Sequence, residues 1–232
     1  MSATKRTARL AGALYLAMAI LSFFGYLYVP ARFYVADNAA ATVGRIADGI
    51  VLYRMGILSS LVGQVLFLFV ALSLYELFKD IDKVQARALL ILVCVGVAVE
   101  ITNLLNRTAP LVLMSGASFL SVFSKDQLDA MALGFLRLGN SLGDLVTLLW
   151  GLWLIPFGIL TIRSRYFPRF LGALLFVSGL AYVVTSITAV ALPARLDLVS
   201  RLMSPLYFGE LVMVLWLPII GARVPAQEAR AT

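Results

Sequence analysis

The chain contains no histidine and a single cysteine, and charged residues make up only 13% of its 232 positions. Each shortage closes a class of function. Without imidazole there is no general base for a serine triad and none of the usual nitrogen ligands of zinc, so the common routes to membrane-lipid hydrolysis are shut. A hard-oxygen site for Mg²⁺ or Ca²⁺ built from Glu, Asp and Asn stays open, although no ligand spacing announces one. Cys94, alone in an apolar run, gives no disulfide framework and reads as a small packing residue. No nucleophile has a recognisable base beside it. The expectation is therefore a non-enzyme with no catalytic residue, metal ligand or cofactor.

Scarce charge goes with abundant apolar surface. The chain is 62% hydrophobic with a mean hydropathy of +0.96, where ordinary soluble domains carry roughly a quarter charged residues. About 20 apolar residues in a helix cross the roughly 30 Å of bilayer hydrocarbon. Six such stretches recur, at about 10–29, 54–78, 88–109, 139–162, 170–191 and 204–222. They predict an all-α integral membrane six-helix bundle forming one domain over 1–232. The apolar run after Lys5, Arg6 and Arg9 continues to Val29, so it reads as a retained first helix rather than a cleaved signal peptide.

Basic residues between the spans predict orientation. Lys5, Arg6, Arg9, Lys79, Lys83, Arg87, Arg163, Arg165, Arg169, Arg223 and Arg230 fall on one side in short segments. Arg32, Arg45, Arg54, Arg107, Lys125, Arg137, Arg195 and Arg201 fall on the other, among five aspartates. The positive-inside rule then puts both termini in the cytoplasm. The net charge of +7 is spread over both sides, so the clustered basic face that nucleic acid requires is missing. Membrane lipids are the expected surroundings.

Polar residues inside the spans are the informative minority. Glu100, Asp144 and Glu210 interrupt apolar stretches, where a charge at the bilayer centre costs roughly 2.5–3.5 kcal/mol on insertion scales. At 1.5 Å per residue, Glu100 stands roughly 10 Å below Arg107, Asp144 the same below Arg137, Glu210 roughly 14 Å below Arg201, and Gln64 roughly 15 Å below Arg54. All four would then occupy one layer in the outer half of the membrane. Glu100, Asn103 and Arg107 share a helical stripe, as do Arg137, Asn140, Ser141 and Asp144. Two readings follow. Glu100 and Asp144 pair with Arg107, Arg137 or the asparagines and lock the bundle as a scaffold or regulatory subunit. Alternatively, the layer lines an outward-open cavity that binds or transports a small cation, a proton or an amphipathic ligand, with the arginines at its entrance.

Other features are organisational. Outgoing spans run from Arg9, Arg87 and Arg169 to Pro30, Pro110 and Pro193, which hints at a hairpin used three times. Asp37 or Asn38 could cap a short interfacial helix over 39–50, and Ser124-Lys-Asp-Gln127 matches a capping box opening a second one. Pro156 and Pro218 are kink points in returning spans, and Trp150, Trp153 and Trp216 lie too deep for an interfacial belt, reading as packing residues.

Leu149-Trp-Gly-Leu-Trp-Leu-Ile-Pro-Phe-Gly158, Arg163-Ser-Arg-Tyr-Phe-Pro-Arg-Phe-Leu-Gly172 and Ser178-Gly-Leu-Ala-Tyr182 form a specific block. With Arg9-Leu-Ala-Gly-Ala-Leu-Tyr15 and Tyr53-Arg-Met-Gly-Ile57, the chain resembles the bacterial multi-pass membrane family catalogued as domain of unknown function 4386. That resemblance implies a six-helix protein of a bacterial plasma membrane. It implies no activity and no catalytic residues.

Overall fold

The computed structural model describes residues 3–223, so Arg230 of the orientation argument lies outside the described residues. Among those residues there is no strand, and six helices are long and apolar enough to cross a membrane. This follows from the hydrocarbon itself, where a helix satisfies its backbone N–H and C=O groups within one segment. The first crossing is α1 (Ala3–Ser22), a π turn (Phe23–Tyr28) and α2 (Val29–Phe33) in unbroken succession. The short α3 (Ala39–Asp48) precedes α4 (Ile50–Phe78), α5 (Lys83–Leu113), α6 (Lys125–Ser164), α7 (Arg169–Ala191) and α8 (Leu196–Ile219).

Several boundaries differ from the hydropathy reading, each for a local reason. Pro30 and Pro110 do not end their spans: the chain stays helical from the π turn through Pro30 to Phe33, with the Gly25 carbonyl that Pro30 cannot serve accepting from Arg107 instead, and α5 runs three residues past Pro110. The Ser124 capping box forms, but it opens α6 itself, because nothing between 125 and 164 interrupts the helix. The second interfacial helix expected from sequence is thus the leading stretch of a 40-residue span. Asn38, rather than Asp37, caps α3, accepting from the Ala41 N–H at 2.9 Å, while Asp37 adopts a left-handed φ of 58°.

The spans stand in a ring in chain order, α1 beside α4, then α5, α6, α7 and α8, which returns to α1. Small residues set the closest approaches. A Cβ on Gly151 would lie 2.6 Å from the Gly179 carbonyl oxygen, and one on Gly158 2.7 Å from that of Gly172. The two pairs, seven residues apart on each helix, bring the α6 and α7 backbones together. Gly12 makes the corresponding approach of α1 to Leu217 and Pro218 of α8.

At the end of the ring that holds the first and last described residues, the termini end, the interior is filled. Tyr15, Phe67, Phe78, Trp153, Phe157, Leu74, Leu160 and their neighbours make one buried cluster, with Trp153 and Phe67 edge-to-face at 5.0 Å. Pro156 is buried within this mass, which fits a packed kink. Asp82 caps α5 through the Val84 and Gln85 N–H groups and pairs with Arg163, tying the 79–82 turn to α6. At the opposite, far end, α3 packs on α6, and Asp37 pairs with Arg137.

Gly151→Ala should lower stability by about 1–3 kcal/mol through overpacking, whereas Gly134→Ala, with nothing within 4 Å of the added methyl, should be neutral or stabilising. Thermal unfolding in detergent checks this, and equal effects would refute the backbone contact. The Gln85 N–H, followed by the Arg163 guanidinium, holds the Asp82 carboxyl below its usual range. A depressed folded-state pKa stabilises above the unfolded value near 4 and is lost as pH falls through the folded one. Asp82→Ala should therefore lower the melting temperature at pH 7 and leave it nearly unchanged near pH 2.

Candidate functional site

Where the aromatic filling stops, the ring encloses a cavity of about 550 Å³ to which all six spans contribute. Its floor is Phe67, Trp150, Trp153, Tyr182 and Glu210; Gln64, Glu100 and Asp144 stand on its walls; Tyr26, Arg107 and Asn140 lie toward the far end. The lining therefore holds three carboxyl groups and one guanidinium.

Local hydrogen bonds fix most of these groups. Tyr15 donates a hydrogen bond to the Glu210 carboxylate, joining α1 to α8, and Tyr182 is within hydrogen-bonding reach of the same group. Tyr182 itself stacks on Tyr207 at 4.3 Å between ring centroids. The Glu100 carboxylate accepts from Asn103 Nδ2 at 3.5 Å, and that amide also donates to the Gly139 carbonyl oxygen at 3.0 Å, locking α5 to α6. Arg107 donates to the Gly25 carbonyl oxygen at 2.9 Å and lies 4.5 Å above the Tyr26 ring, so the π turn of the first span holds it. Among the described residues the Asp144 carboxylate has neither a hydrogen bond nor an ion pair, although its backbone carbonyl accepts from Ser186 at 2.7 Å. Gln64 is 5% exposed; its Nε2 donates to the Tyr26 hydroxyl at 3.2 Å and its Oε1 has no partner.

Of the nine residues singled out from sequence, Gln64, Glu100, Arg107, Asn140, Asp144 and Glu210 line this cavity. Asn103 is buried behind the wall, positioning Glu100. Arg137 is turned away by its pairing with Asp37 and does not neutralise Asp144. Arg54 lies exposed on the first turns of α4, outside the lining. The single layer of acids also requires correction. Gly151 meets Gly179, and Gly209 meets Ser178, so Glu210 is level with Gly151, seven residues or roughly 10 Å beyond Asp144. Counting from Arg201 and Arg137 misjudged the relative depth because neither arginine marks the start of its helix, α8 beginning five residues before the first and α6 twelve before the second. Glu100 and Asp144 form an upper step and Glu210 a lower one.

Sequence reasoning missed Tyr26 and Tyr182 in the lining and Tyr15 as the partner of Glu210. The available signal was a hydroxyl-bearing ring deep in an apolar span, where it needs a polar partner. Next to Arg107 a smaller cavity of about 250 Å³, lined by Phe33, Tyr34 and Tyr53 among others, shares Tyr26, Leu27, Arg107 and Asn140 with the larger one.

A family model described as a domain of unknown function, DUF4386, matches residues 10–221. The chain belongs to the DUF4386 family. No curated protein and no solved structure matches it. The cavity of this DUF4386 protein is formed wholly within the matched region, from Met18 to Glu210. Its six apolar helices make it a multi-pass membrane protein. Among the described residues no three Asp, Glu or Cys side chains group closely enough to hold a metal ion.

In a Cys94→Ser background, Asp144→Cys should react with a hydrophilic maleimide, and Val70→Cys, in the fully buried mass below the floor, should not. Equal labelling of both would contradict a cavity closed at the termini end.

Proposed function

We propose that this protein binds a small cation in the acid-lined cavity and serves as a carrier or membrane receptor for it. The observation that carries this reading is the charge pattern. Three carboxyl groups face one guanidinium, and among the described residues the Asp144 side chain has no partner. A charge left unpaired inside a membrane protein is expensive and marks an ion or ligand pathway. The aromatic filling below the cavity supports closure at the termini end in this conformation, which is one half of an alternating-access cycle. The distribution of basic residues supports cytoplasmic termini and hence a cavity facing outward, and the family resemblance supports a bacterial plasma membrane.

The reading involves no covalent chemistry, cofactor or nucleic acid. A scaffold or regulatory role draws its support from Glu210, which Tyr15 ties to α1, and from Asn103, whose amide binds Glu100 on its own helix and the Gly139 carbonyl of α6. Asp144 fits that role poorly, since it fastens nothing through its side chain.

Asp144→Asn separates the two. Purified protein titrated with sodium, potassium and methylammonium chloride should show a thermal shift with at least one cation. The variant should fold with unchanged or higher stability and lose that shift about tenfold in concentration. A stability loss with no cation response in either protein would favour the scaffold.

A further inference from the structure

We infer that the ligand is a zwitterion, an α-amino acid with an apolar or aromatic side chain, whose ammonium group is the cation held by Glu100 and Asp144 and whose carboxylate is held by Arg107. This rests on the cation-binding reading of the cavity and goes beyond it in naming the second charge, the spacing between the two charges and the body that joins them.

Opposite charges share the cavity without meeting. Arg107, Glu100 and Asp144 all line it, yet among the described residues no ion pair joins the guanidinium to either carboxyl group. Charges inside a membrane protein are costly enough that neighbours of opposite sign ordinarily pair. Tyr26 keeps these apart. The Arg107 guanidinium lies over its ring, while its hydroxyl accepts from Gln64 Nε2 and is within hydrogen-bonding reach of Glu100. The Gly25 carbonyl oxygen holds the guanidinium from its other side, and Asn103 holds Glu100. That one hydrogen bond leaves most of the five N–H donors of a guanidinium available to a ligand. Charges fixed in this way cost a ligand less to order.

Spacing sets the ligand's length. Asn103 donates to the Gly139 carbonyl oxygen of the antiparallel α6, which puts Glu100 about level with Leu142 and roughly 3 Å along the axis from Asp144. The two carboxyl groups therefore stand on neighbouring walls at similar depth, where one ammonium group can donate to both. Arg107 lies seven residues, roughly 10 Å, farther along α5. A helical side chain leans toward the N-terminus of its own helix. Because α5 and α6 run in opposite directions, Arg107 and Asp144 lean toward each other. The gap takes two charge-assisted hydrogen bonds of about 2.8 Å and the single carbon that separates ammonium from carboxylate in an α-amino acid.

The remaining lining selects the body. Gln64, more than nine-tenths buried, presents a carbonyl oxygen without a donor, an acceptor for a further ammonium N–H. Below the acids, Phe67, Trp150 and Trp153 offer aromatic faces and edges, which suit an apolar or aromatic side chain. Glu210, at the floor, is already engaged by Tyr15. A simple cation would face Arg107 as a like charge, and a simple anion would meet three carboxyl groups. A zwitterion satisfies both signs, and the volume of about 550 Å³ lies within the range of small-molecule pockets.

The experiment is calorimetric titration of the protein in nanodiscs with L-leucine, glycine, isoamylammonium, which is leucine without its carboxylate, and N-acetyl-L-leucine, which lacks the ammonium charge. Sodium, potassium and methylammonium chloride serve as the cation reference. Leucine should bind at least tenfold more tightly than glycine, as burial of its side chain implies, and at least tenfold more tightly than either single-charge analogue. Arg107→Gln should weaken leucine at least tenfold and strengthen isoamylammonium, because the like charge is gone. The analogues need no variant, so they decide the outcome even where Arg107→Gln fails to fold. Isoamylammonium binding equal to leucine overturns the carboxylate site, N-acetyl-leucine binding equal to leucine overturns the ammonium site, and glycine binding equal to leucine overturns the apolar side chain. No binding by leucine beside a response to one of the reference cations overturns this inference and leaves the cation reading standing. No binding by any of these molecules, the reference cations included, removes both.

Discussion

The hydrogen bond from Tyr15 to the Glu210 carboxylate joins the first span to the last, and the ring of helices depends on that junction. Apolar burial gives membrane helices no reason to choose one another, because lipid tails are as apolar as leucine. What selects the α1–α8 contact is a polar group that would otherwise face hydrocarbon, together with a glycine that lets the backbones meet. Gly12 supplies the second, against Leu217 and Pro218. If the ring did not close there, Glu210 would stand in lipid at a cost of roughly 2.5–3.5 kcal/mol.

An aromatic filling at one end and a polar cavity toward the other give the molecule its polarity. Toward the termini, aromatic and aliphatic side chains fill the interior and the turns are fastened by Asp82 with Arg163 and by the Arg223 N–H with the Tyr166 carbonyl oxygen at 2.8 Å. Toward the far end the same helices enclose carboxyl groups that face inward because no other direction offers polar company. The glycine contacts of α6 with α7 draw those two backbones together. The π turn at Phe23–Tyr28 performs a different task, presenting the Gly25 carbonyl and the Tyr26 ring to Arg107. A π turn of this kind often accompanies a functional site.

Much of this was legible in the residues. Six apolar runs, the capping box at Ser124 and the stripe linking Glu100 with Asn103 follow from periodicity and composition, and the structure keeps all of them. Less was legible wherever a long-range partner decides the outcome. Arg137 lies on the same stripe as Asp144, yet it pairs with Asp37, one hundred residues away in sequence, because the 34–38 connection crosses to α6. Helix starts moved by up to fourteen residues where polar surface segments continue a span, as at Lys125, and the depth of Glu210 moved with them. Tyr15, Tyr26 and Tyr182 passed as apolar residues in a hydropathy reading, although their hydroxyls connect the polar groups of four helices.

The most direct test of this account is a double-mutant cycle on Tyr15→Phe and Glu210→Gln, read from unfolding free energies in mixed micelles. Ring closure through this pair predicts a coupling energy of about 1 kcal/mol, within the range of hydrogen bonds between membrane helices. Strictly additive effects would mean that Glu210 does not meet the first span, and neither the closed ring nor the cavity it shapes would survive.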